Sequence, residues 1–302
     1  MQKIAIVDIG SNTVVLNLYT KDQAGLHLCS NTSNAVRLVS YIDEDNHHMK
    51  EEGIAAACDV LRQYRKMIDE YQPDYTFAFI TEPARNIDNK EEMLASFHQA
   101  GIDVDAISGQ QEAAFDYLGS RIDAGDIVTG NAFDVGGGST ELIAFKNNEI
   151  VEAASMPLGC VRLSQLPVEN QVADDSLHEF FQSHPKLLSV PSSTLIGIGG
   201  TNRAAGLVMN ELFQCDNTMN VQLLTQVFHH LKDEDERYVH AMHKVVRSSR
   251  WPVFLPGLNM ILGICRAYNA TEIRISSGCV REGYILSHIS SENKEKDDGK
   301  TA

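Results

Sequence analysis

Asp134-Val135-Gly136-Gly137-Gly138-Ser139-Thr140-Glu141 is the stretch that decides the interpretation of this sequence. An apolar run precedes it and another follows, which predicts two strands joined by a turn. Three successive glycines lose backbone entropy on folding, but they let several N–H groups approach one anion. Ser139 and Thr140 add hydroxyl donors, and Asp134 and Glu141 offer carboxylates to a metal ion. A plain hairpin turn is the alternative interpretation.

A similar turn, Asp8-Ile9-Gly10-Ser11-Asn12-Thr13, stands near the N-terminus and also links two apolar runs. Alone it is compatible with an ordinary hairpin. Because residue 134 follows residue 8 by about one domain length, the pair predicts two related halves. Gly10, Ser11 and Asn12 would then hold a phosphate opposite Gly136–Ser139. Asp8 and Asp134 would bracket a cation, for which Mg²⁺ fits best and Mn²⁺ is the alternative.

The remaining pattern alternates apolar runs with segments of helical spacing, which predicts an α/β protein with mixed sheets flanked by helices. A strand pair is expected around 26–29 and 35–40, and the last helix is expected over 281–289. We predict a first domain over 1–122 and a second over 123–289. The polar tail, 290–302, is predicted to be disordered.

Gly197-Ile198-Gly199-Gly200-Thr201 is a third glycine turn, placed between a predicted strand and a helix. Gly199, Gly200 and Thr201 would offer helix N-terminal N–H groups to an anion. Close packing of helix on strand is the alternative.

Two further segments carry candidate residues whose interpretation depends on context. Arg85 and Asn89 follow a predicted strand and could donate hydrogen bonds to phosphate. Glu112 lies near the start of a predicted helix, where spacing alone favours an interaction with the helix dipole. In an anhydride hydrolase the same carboxylate could orient and deprotonate the attacking water.

The overall charge sets a condition on any phosphate site. With 41 acidic and 25 basic residues, the formal net charge is −16, which disfavours binding to nucleic acid and to anionic membranes. A phosphate site must therefore be locally positive. Residues 238–281 meet this condition, and the spacing of His240, Lys244, Arg247 and Trp251 predicts one helix face. We predict a track for a polyanion there, formed by Lys244, Arg247, Arg250 and Arg281.

Taken together, these strings resemble the exopolyphosphatase / guanosine pentaphosphate phosphatase family of the actin and sugar-kinase superfamily. The resemblance extends from Asp8 to about Leu286. Besides the segments above, it rests on Ile107-Ser108-Gly109 before Glu112, Pro157-Leu158-Gly159 with Val161-Arg162-Leu163, Leu255-Pro256-Gly257 and Arg281-Glu282-Gly283.

The resemblance implies two actin-like (ribonuclease H-like) domains with the active site in the cleft between them. It implies that Glu112 activates water, that Asp134 and Glu141 are metal-site acids, and that Arg85 binds phosphate. The implied substrate is inorganic polyphosphate or guanosine pentaphosphate (pppGpp), and a homodimer is an option that the resemblance raises. Scattered cysteines and the absence of a membrane-length apolar run predict a cytoplasmic protein.

Two other functions stay open from the sequence. An ATP-using kinase or chaperone-type ATPase of the same superfamily would use Gly199-Gly200-Thr201 for an adenosine. A weakly active sensor of polyphosphate or (p)ppGpp is the other. It is motivated by Gln110, Gln111, Ala114 and Ser277, which differ from the residues that relatives usually carry.

Overall fold

The computed structural model describes residues 1–43, 47–166 and 170–298. The chain forms two compact units, Met1–Ser108 and Gly109–Ala302. The predicted domain limits placed the helix that carries Glu112 in the first domain, whereas its packing partners here belong to the second unit.

The first unit is built on a five-stranded sheet in the order β3-β2-β1-β6-β7, as far as the described residues show. β1 pairs antiparallel with β2 and parallel with β6, so the unit opens with the predicted hairpin. Its strands and helices are β1 (Gln2–Ile9), β2 (Thr13–Asp22), β3 (Gly25–Ala35), β4 (Ile42–Asp43), β5 (His48–Met49), α1 (Glu51–Tyr71), β6 (Tyr75–Ile80), α2 (Lys90–Gln99) and β7 (Asp105–Ala106).

Helix α1 forms because its apolar residues recur at helical spacing on one face. Ala57, Leu61, Tyr64 and Ile68 are buried on that face and pack in a core with β1, β2 and α2. The helix ends where Gln72 adopts a left-handed backbone with φ of 51°, and Pro73 follows.

The second unit contains a six-stranded sheet in the order β10-β9-β8-β11-β13-β12, again within the described ranges. β8 pairs antiparallel with β9 and parallel with β11. The elements are α3 (Gly109–Ser120), β8 (Gly130–Val135), β9 (Thr140–Lys146), β10 (Glu149–Met156), α4 (Cys160–Ser164), α5 (Asn170–Ser183), β11 (Thr194–Ile198), α6 (Gly199–Phe213), β12 (Thr218–Asn220), α7 (Val221–Lys232), α8 (Glu236–Val245), α9 (Trp251–Tyr268), β13 (Glu272–Ile275) and α10 (Val280–Asp298).

The two sheets repeat one arrangement, which confirms the predicted fold class of two mixed sheets flanked by helices. In each unit an edge strand, the two strands of the opening hairpin and two further strands follow one another in the same order. The second unit adds β12 beyond β13. Each unit also has its own hydrophobic core, with Phe97 buried in the first and Phe228 in the second.

Three local predictions were wrong. The strand pair expected around 26–29 and 35–40 is one long strand, β3, followed by a 3₁₀ turn at Leu38–Tyr41, because β3 stays paired with β2 along its whole length. The helix face expected from His240 to Trp251 is interrupted, because α8 ends at Val245 and α9 begins at Trp251. Helix α10 continues past residue 289 to Asp298.

No helix among the described residues is both long enough and apolar enough to cross a membrane.

Candidate active site

The candidate site of the second unit lies at one edge of its sheet. β8, β11 and β13 are parallel neighbours, so their carboxyl ends meet at the same edge. The segments that leave these ends are the triple-glycine turn, the start of α6 at Gly199, and residues 276–279 before α10. Ligands of open α/β sheets bind at such an edge.

The β8–β9 hairpin brings two acidic residues opposite each other. Asp134 pairs in register with Glu141 across the antiparallel ladder, so both side chains lie on the same face of the sheet. Glu141 is buried, and its Oε1 accepts hydrogen bonds from the hydroxyls of Ser139 at 2.9 Å and Ser155 at 2.7 Å. The turn between the strands therefore carries a fixed pair of carboxylates at its base.

The triple-glycine turn is held in place by helix α4. The backbone N–H of Gly136 donates to the Ser139 carbonyl at 2.9 Å. The carbonyls of Gly136 and Gly137 accept from the N–H groups of Cys160 and Val161, both at 2.9 Å. A side chain at Gly159 would overlap these two carbonyls. The turn thus has one fixed orientation of its peptide planes.

Gly199 lies against the Asp134 carboxylate and Gly200 lies against the Arg250 guanidinium, which explains why this turn has two glycines. Gly199 has a φ of 81°, and a Cβ there would overlap the Asp134 carboxylate. A Cβ at Gly200 would overlap the guanidinium of Arg250. The N-terminus of α6 therefore approaches Asp134 closely, where its dipole favours a negative charge.

Opposing charges surround Asp134. Neighbouring protein atoms shield the Asp134 carboxyl from water, and this desolvation raises its pKa to about 7. The positive charges of Arg203, Arg250 and Arg281 lower its pKa, and the charge of Glu112 raises it. The geometry therefore brings the predicted catalytic acid, one predicted metal ligand and three arginines within electrostatic range of one another.

Helix α3 contributes two carboxylates one turn apart, Glu112 and Asp116. Asp116 is 1% exposed, and neither of its oxygens has a hydrogen-bond partner among the described residues. Burial raises the pKa of Asp116 well above its ordinary range, and the charges of Asp134 and Glu112 add to the effect. The N–H of Val280 lowers it without reaching hydrogen-bond geometry.

Three hydroxyl groups that are predicted to bind phosphate donate to protein acceptors in this structure. Ser139 donates to Glu141, the Thr140 hydroxyl donates to the Leu158 carbonyl at 2.7 Å, and the Thr201 hydroxyl donates to the Val135 carbonyl at 2.6 Å. A hydroxyl has a single proton to donate. These three hydroxyl protons are therefore used within the protein, and phosphate binding by these residues stays a prediction.

The predicted residues of the first unit gather at the end of β1. Asp8 lies in β1 beside β6, and the Gly10 N–H donates to the Thr13 carbonyl at 3.0 Å, which closes the turn. Ser11 is buried, and its hydroxyl donates to Glu82 Oε2 at 3.0 Å. The Asn12 carbonyl accepts from the backbone N–H groups of Val36 and Arg37.

Arg85 and Asn89 are anchored within the first unit. Arg85 Nε donates to the Ile107 carbonyl at 3.4 Å, so this N–H group of the guanidinium already has an acceptor in the protein. The Asn89 side chain accepts from the Met49 N–H at 3.0 Å and donates to the Met49 carbonyl at 2.9 Å. The Asn89 amide therefore holds the backbone of β5 at Met49, and its phosphate-binding role stays a prediction.

The predicted polyanion track divides into two groups. Lys244 and Arg247 are exposed, and Lys244 Nζ lies 2.7 Å from Glu211 Oε1. Arg250 and Arg281 are partly buried and act on Asp134. The second pair belongs to the acid site, and no common helix face joins it to the first.

Metal binding can be tested against the donor set. Among the described residues, no three His, Cys, Asp or Glu side chains form a ready ligand cluster. Mg²⁺ rarely needs one, because it is usually held by one or two carboxylates with water and substrate phosphate. Asp134 and Glu141, which lie opposite each other, meet that need. The donors present in the second unit fit such an ion.

Two residues of the site were missed by sequence analysis, Asp116 and Arg203. Asp116 lies four residues after Glu112, and Arg203 lies four after Gly199, so helical spacing could have placed each beside a predicted residue. The burial of Asp116 depends on α10, which packs on α3 from far along the chain, and no local pattern indicates it.

The fold and the site together define an α/β protein of two mixed sheets, with glycine loops, acids and arginines at the carboxyl ends of the strands of its second unit. The family model described as the Ppx/GppA phosphatase family matches residues 18–292. The chain therefore belongs to the Ppx/GppA phosphatase family, which confirms the predicted resemblance.

Individual relatives agree with this assignment. A guanosine-5'-triphosphate,3'-diphosphate pyrophosphatase of Vibrio cholerae is 22% identical over 94% of the chain, and the chain spans 59% of that protein. A Haemophilus influenzae protein, provisionally named an exopolyphosphatase, is 22% identical, with 95% of this chain and 91% of that protein aligned. The crystal structure of the Aquifex aeolicus family member is similar with a TM-score of 0.77 and 25% identity, covering 97% of this chain and 99% of that one.

Proposed function

We propose that this protein hydrolyses the terminal phosphoanhydride bond of inorganic polyphosphate and releases orthophosphate. The observation that carries the proposal is the grouping of Glu112, Asp134 and three arginines in one electrostatic cluster of the second unit. The family assignment supports phosphatase chemistry. The aligned Haemophilus influenzae protein, of similar length and named for exopolyphosphatase activity, favours polyphosphate as the substrate.

The residues divide the chemistry among themselves. Arg203, Arg250 and Arg281 supply positive charge where the substrate and its leaving group are negative. The N–H groups of Gly137 and Gly138 and those of the first turn of α6 bind the terminal phosphoryl oxygens. Glu112 orients a water molecule for in-line attack and accepts its proton. The shortened polyphosphate then leaves.

A divalent cation fits the acidic side of this group. Asp134 and Glu141 would hold it, with Asp8 as the ligand predicted from the first unit. When bound, Mg²⁺ would neutralise charge on the phosphoryl oxygens. Mn²⁺ takes similar oxygen ligands and is the alternative.

A pppGpp 5'-phosphohydrolase is the second candidate, because the Vibrio cholerae relative is named for a guanosine nucleotide substrate. Both substrates end in a phosphoanhydride, so the same residues would act on either. A weakly active sensor is the third candidate, and Gln110 and Gln111 beside Glu112 still motivate it.

Phosphate release is the test that separates these candidates. The full-length protein is incubated with polyphosphate of several lengths, pppGpp and ATP, each with and without Mg²⁺. We expect cation-dependent release that is fastest from polyphosphate. Faster release from pppGpp would transfer the proposal to the second candidate, and tight binding of polyphosphate without release would support the sensor. Release from ATP alone would overturn all three.

We place this activity in the cytoplasm, which is the compartment that the sequence predicts. Homodimer formation stays a prediction.

A further inference from the structure

Asp116 is an acid that the fold buries without a compensating partner. It is 1% exposed, and both of its side-chain oxygens lack a hydrogen bond within the described part of the chain. Such a group destabilises a native state, and in a folded protein it calls for a functional reason or for a bound water or ion.

The surroundings of Asp116 indicate which kind of partner it lacks. Its strongest electrostatic neighbours are carboxylates, those of Asp134, Glu112 and Glu141. The arginines of the site act on Asp134, and no arginine is among the main influences on Asp116. The main charges that act on Asp134 therefore include arginines, whereas the main charges that act on Asp116 are those of other carboxylates.

A proton alone would leave the geometry unexplained. A protonated Asp116 would be a donor, yet neither of its oxygens makes a hydrogen bond to any described residue. A hydrated cation explains the unpartnered Asp116 oxygens better, because its charge offsets the neighbouring carboxylates and its water molecules donate hydrogen bonds.

We propose that Asp116 is a water-mediated ligand of a divalent cation that Asp134 and Glu141 hold in the second unit. The inference rests on the proposed function for the identity of the site, and it adds a ligand that lies on α3 with Glu112. The cation would then connect the helix that carries the catalytic acid to the β8–β9 hairpin.

Mn²⁺ binding without substrate tests this inference separately from hydrolysis. Affinity is measured by calorimetry on the full chain for the native protein, Asp116→Asn and Glu152→Gln. Glu152 is the matched control, because its Oε2 is also buried without a partner but its neighbour is Tyr268. Thermal unfolding with and without Mn²⁺ gives a second readout.

We expect Asp116→Asn to weaken Mn²⁺ binding by about 10- to 100-fold and to lose the Mn²⁺-dependent rise in Tm. Glu152→Gln should keep both. Equal Mn²⁺ affinity in the native protein and Asp116→Asn would overturn the inference, as would a native protein that binds no Mn²⁺. Hydrolysis by that same native protein would leave the proposed function standing.

Two further results separate the remaining cases. Mn²⁺ binding that depends on Asp116, in a protein that releases no phosphate from any substrate, would support the ligand and contradict the proposed function. If Asp116→Asn does not fold, Asp116→Ala, which leaves room for water, provides the same comparison with the same expected loss of affinity.

Discussion

Gly199 is the residue at which backbone conformation and site chemistry meet. Its φ of 81° is unfavourable for any residue with a Cβ, and a Cβ there would also overlap the Asp134 carboxylate. Both constraints come from the need for α6 to begin against this acid. The glycine is therefore required by the position of Asp134.

Gly199→Ala should lower the free energy of unfolding by about 2–4 kcal/mol, from backbone strain together with steric overlap. Gly25→Ala is the matched control. Its φ of 132° is also unfavourable for a residue with a Cβ, but nothing lies within 4 Å of its Cβ position. We expect the control to lose only about 1–2 kcal/mol in urea unfolding. Equal losses in the two variants would contradict the close approach to Asp134.

Tyr64 shows how a buried hydroxyl makes stability depend on pH. Its hydroxyl donates to the Val14 carbonyl at 2.8 Å, and burial raises its pKa from 10.0 to about 12. A raised folded-state pKa contributes stability that is fully present below pH 10. This contribution is lost as pH rises towards 12, because the unfolded chain releases the proton first.

Tyr64→Phe should therefore be less stable than the native protein by about 1 kcal/mol at pH 8, where the hydrogen bond is intact. Between pH 10 and pH 12 the native protein should lose about 1–2 kcal/mol relative to Tyr64→Phe, so that the difference disappears or changes sign. Urea unfolding of both proteins across this range measures it. A difference that stays constant with pH would show that the Tyr64 hydroxyl does not titrate as described.

Sequence analysis reached some residues of the site and not others, for physical reasons. Asp134, Glu141 and Gly199 were found because a strand followed by a glycine turn is a local pattern. The engagement of Ser139 and Thr140 with protein acceptors was not found, since those acceptors are chosen by tertiary packing. The sequence alone does not indicate which acceptor a serine or threonine hydroxyl will donate to.

The α3–α10 crossing is the element-scale feature that positions Glu112. Glycines allow the two helices to approach closely. A Cβ at Gly283 would overlap the Phe115 carbonyl, and one at Gly119 would overlap the Cys279 carbonyl. Phe115 also meets Tyr284 edge to face, with ring centroids 5.2 Å apart. This contact explains physically why the Arg281-Glu282-Gly283 string contains a glycine.

Gly283→Ala should separate these helices and move Glu112 relative to Asp134. We expect a loss of about 1–3 kcal/mol of stability from overpacking and a lower kcat for phosphate release. Ser287→Ala, one turn further along α10, is the control, because among the described residues its hydroxyl bonds to groups of its own helix, such as the Tyr284 carbonyl at 2.9 Å. Native stability and kcat in Gly283→Ala would contradict the role of the crossing.

Element prediction succeeded where a local signal was strong and failed where it was ambiguous. Both glycine hairpins and α1 were predicted, because alternation or helical spacing was uninterrupted. The prediction of one continuous helix face from His240 to Trp251 was wrong, although Pro252 is a signal for the start of a helix. Proline is favoured in the first turn of a helix, so α9 begins there as a new helix.

At the scale of the whole molecule, the two units share one sheet order, and that repeat was predictable from two glycine turns about one domain length apart. From the net charge of −16 we predict that any phosphate site needs a local concentration of positive charge. The arginines that provide it, Arg203, Arg250 and Arg281, come from three separate segments. Sequence spacing alone could not bring them to one acid.

The central claim is that Glu112 activates the attacking water in a site that binds a polyanion. Its most direct test compares polyphosphate turnover and polyphosphate affinity in Glu112→Gln, with the exposed acid variant Glu179→Gln as the control. We predict that turnover falls by about 10²–10⁴-fold in Glu112→Gln while the dissociation constant changes only a few-fold. Unchanged turnover in Glu112→Gln, or a loss of binding as large as the loss of turnover, would contradict the account.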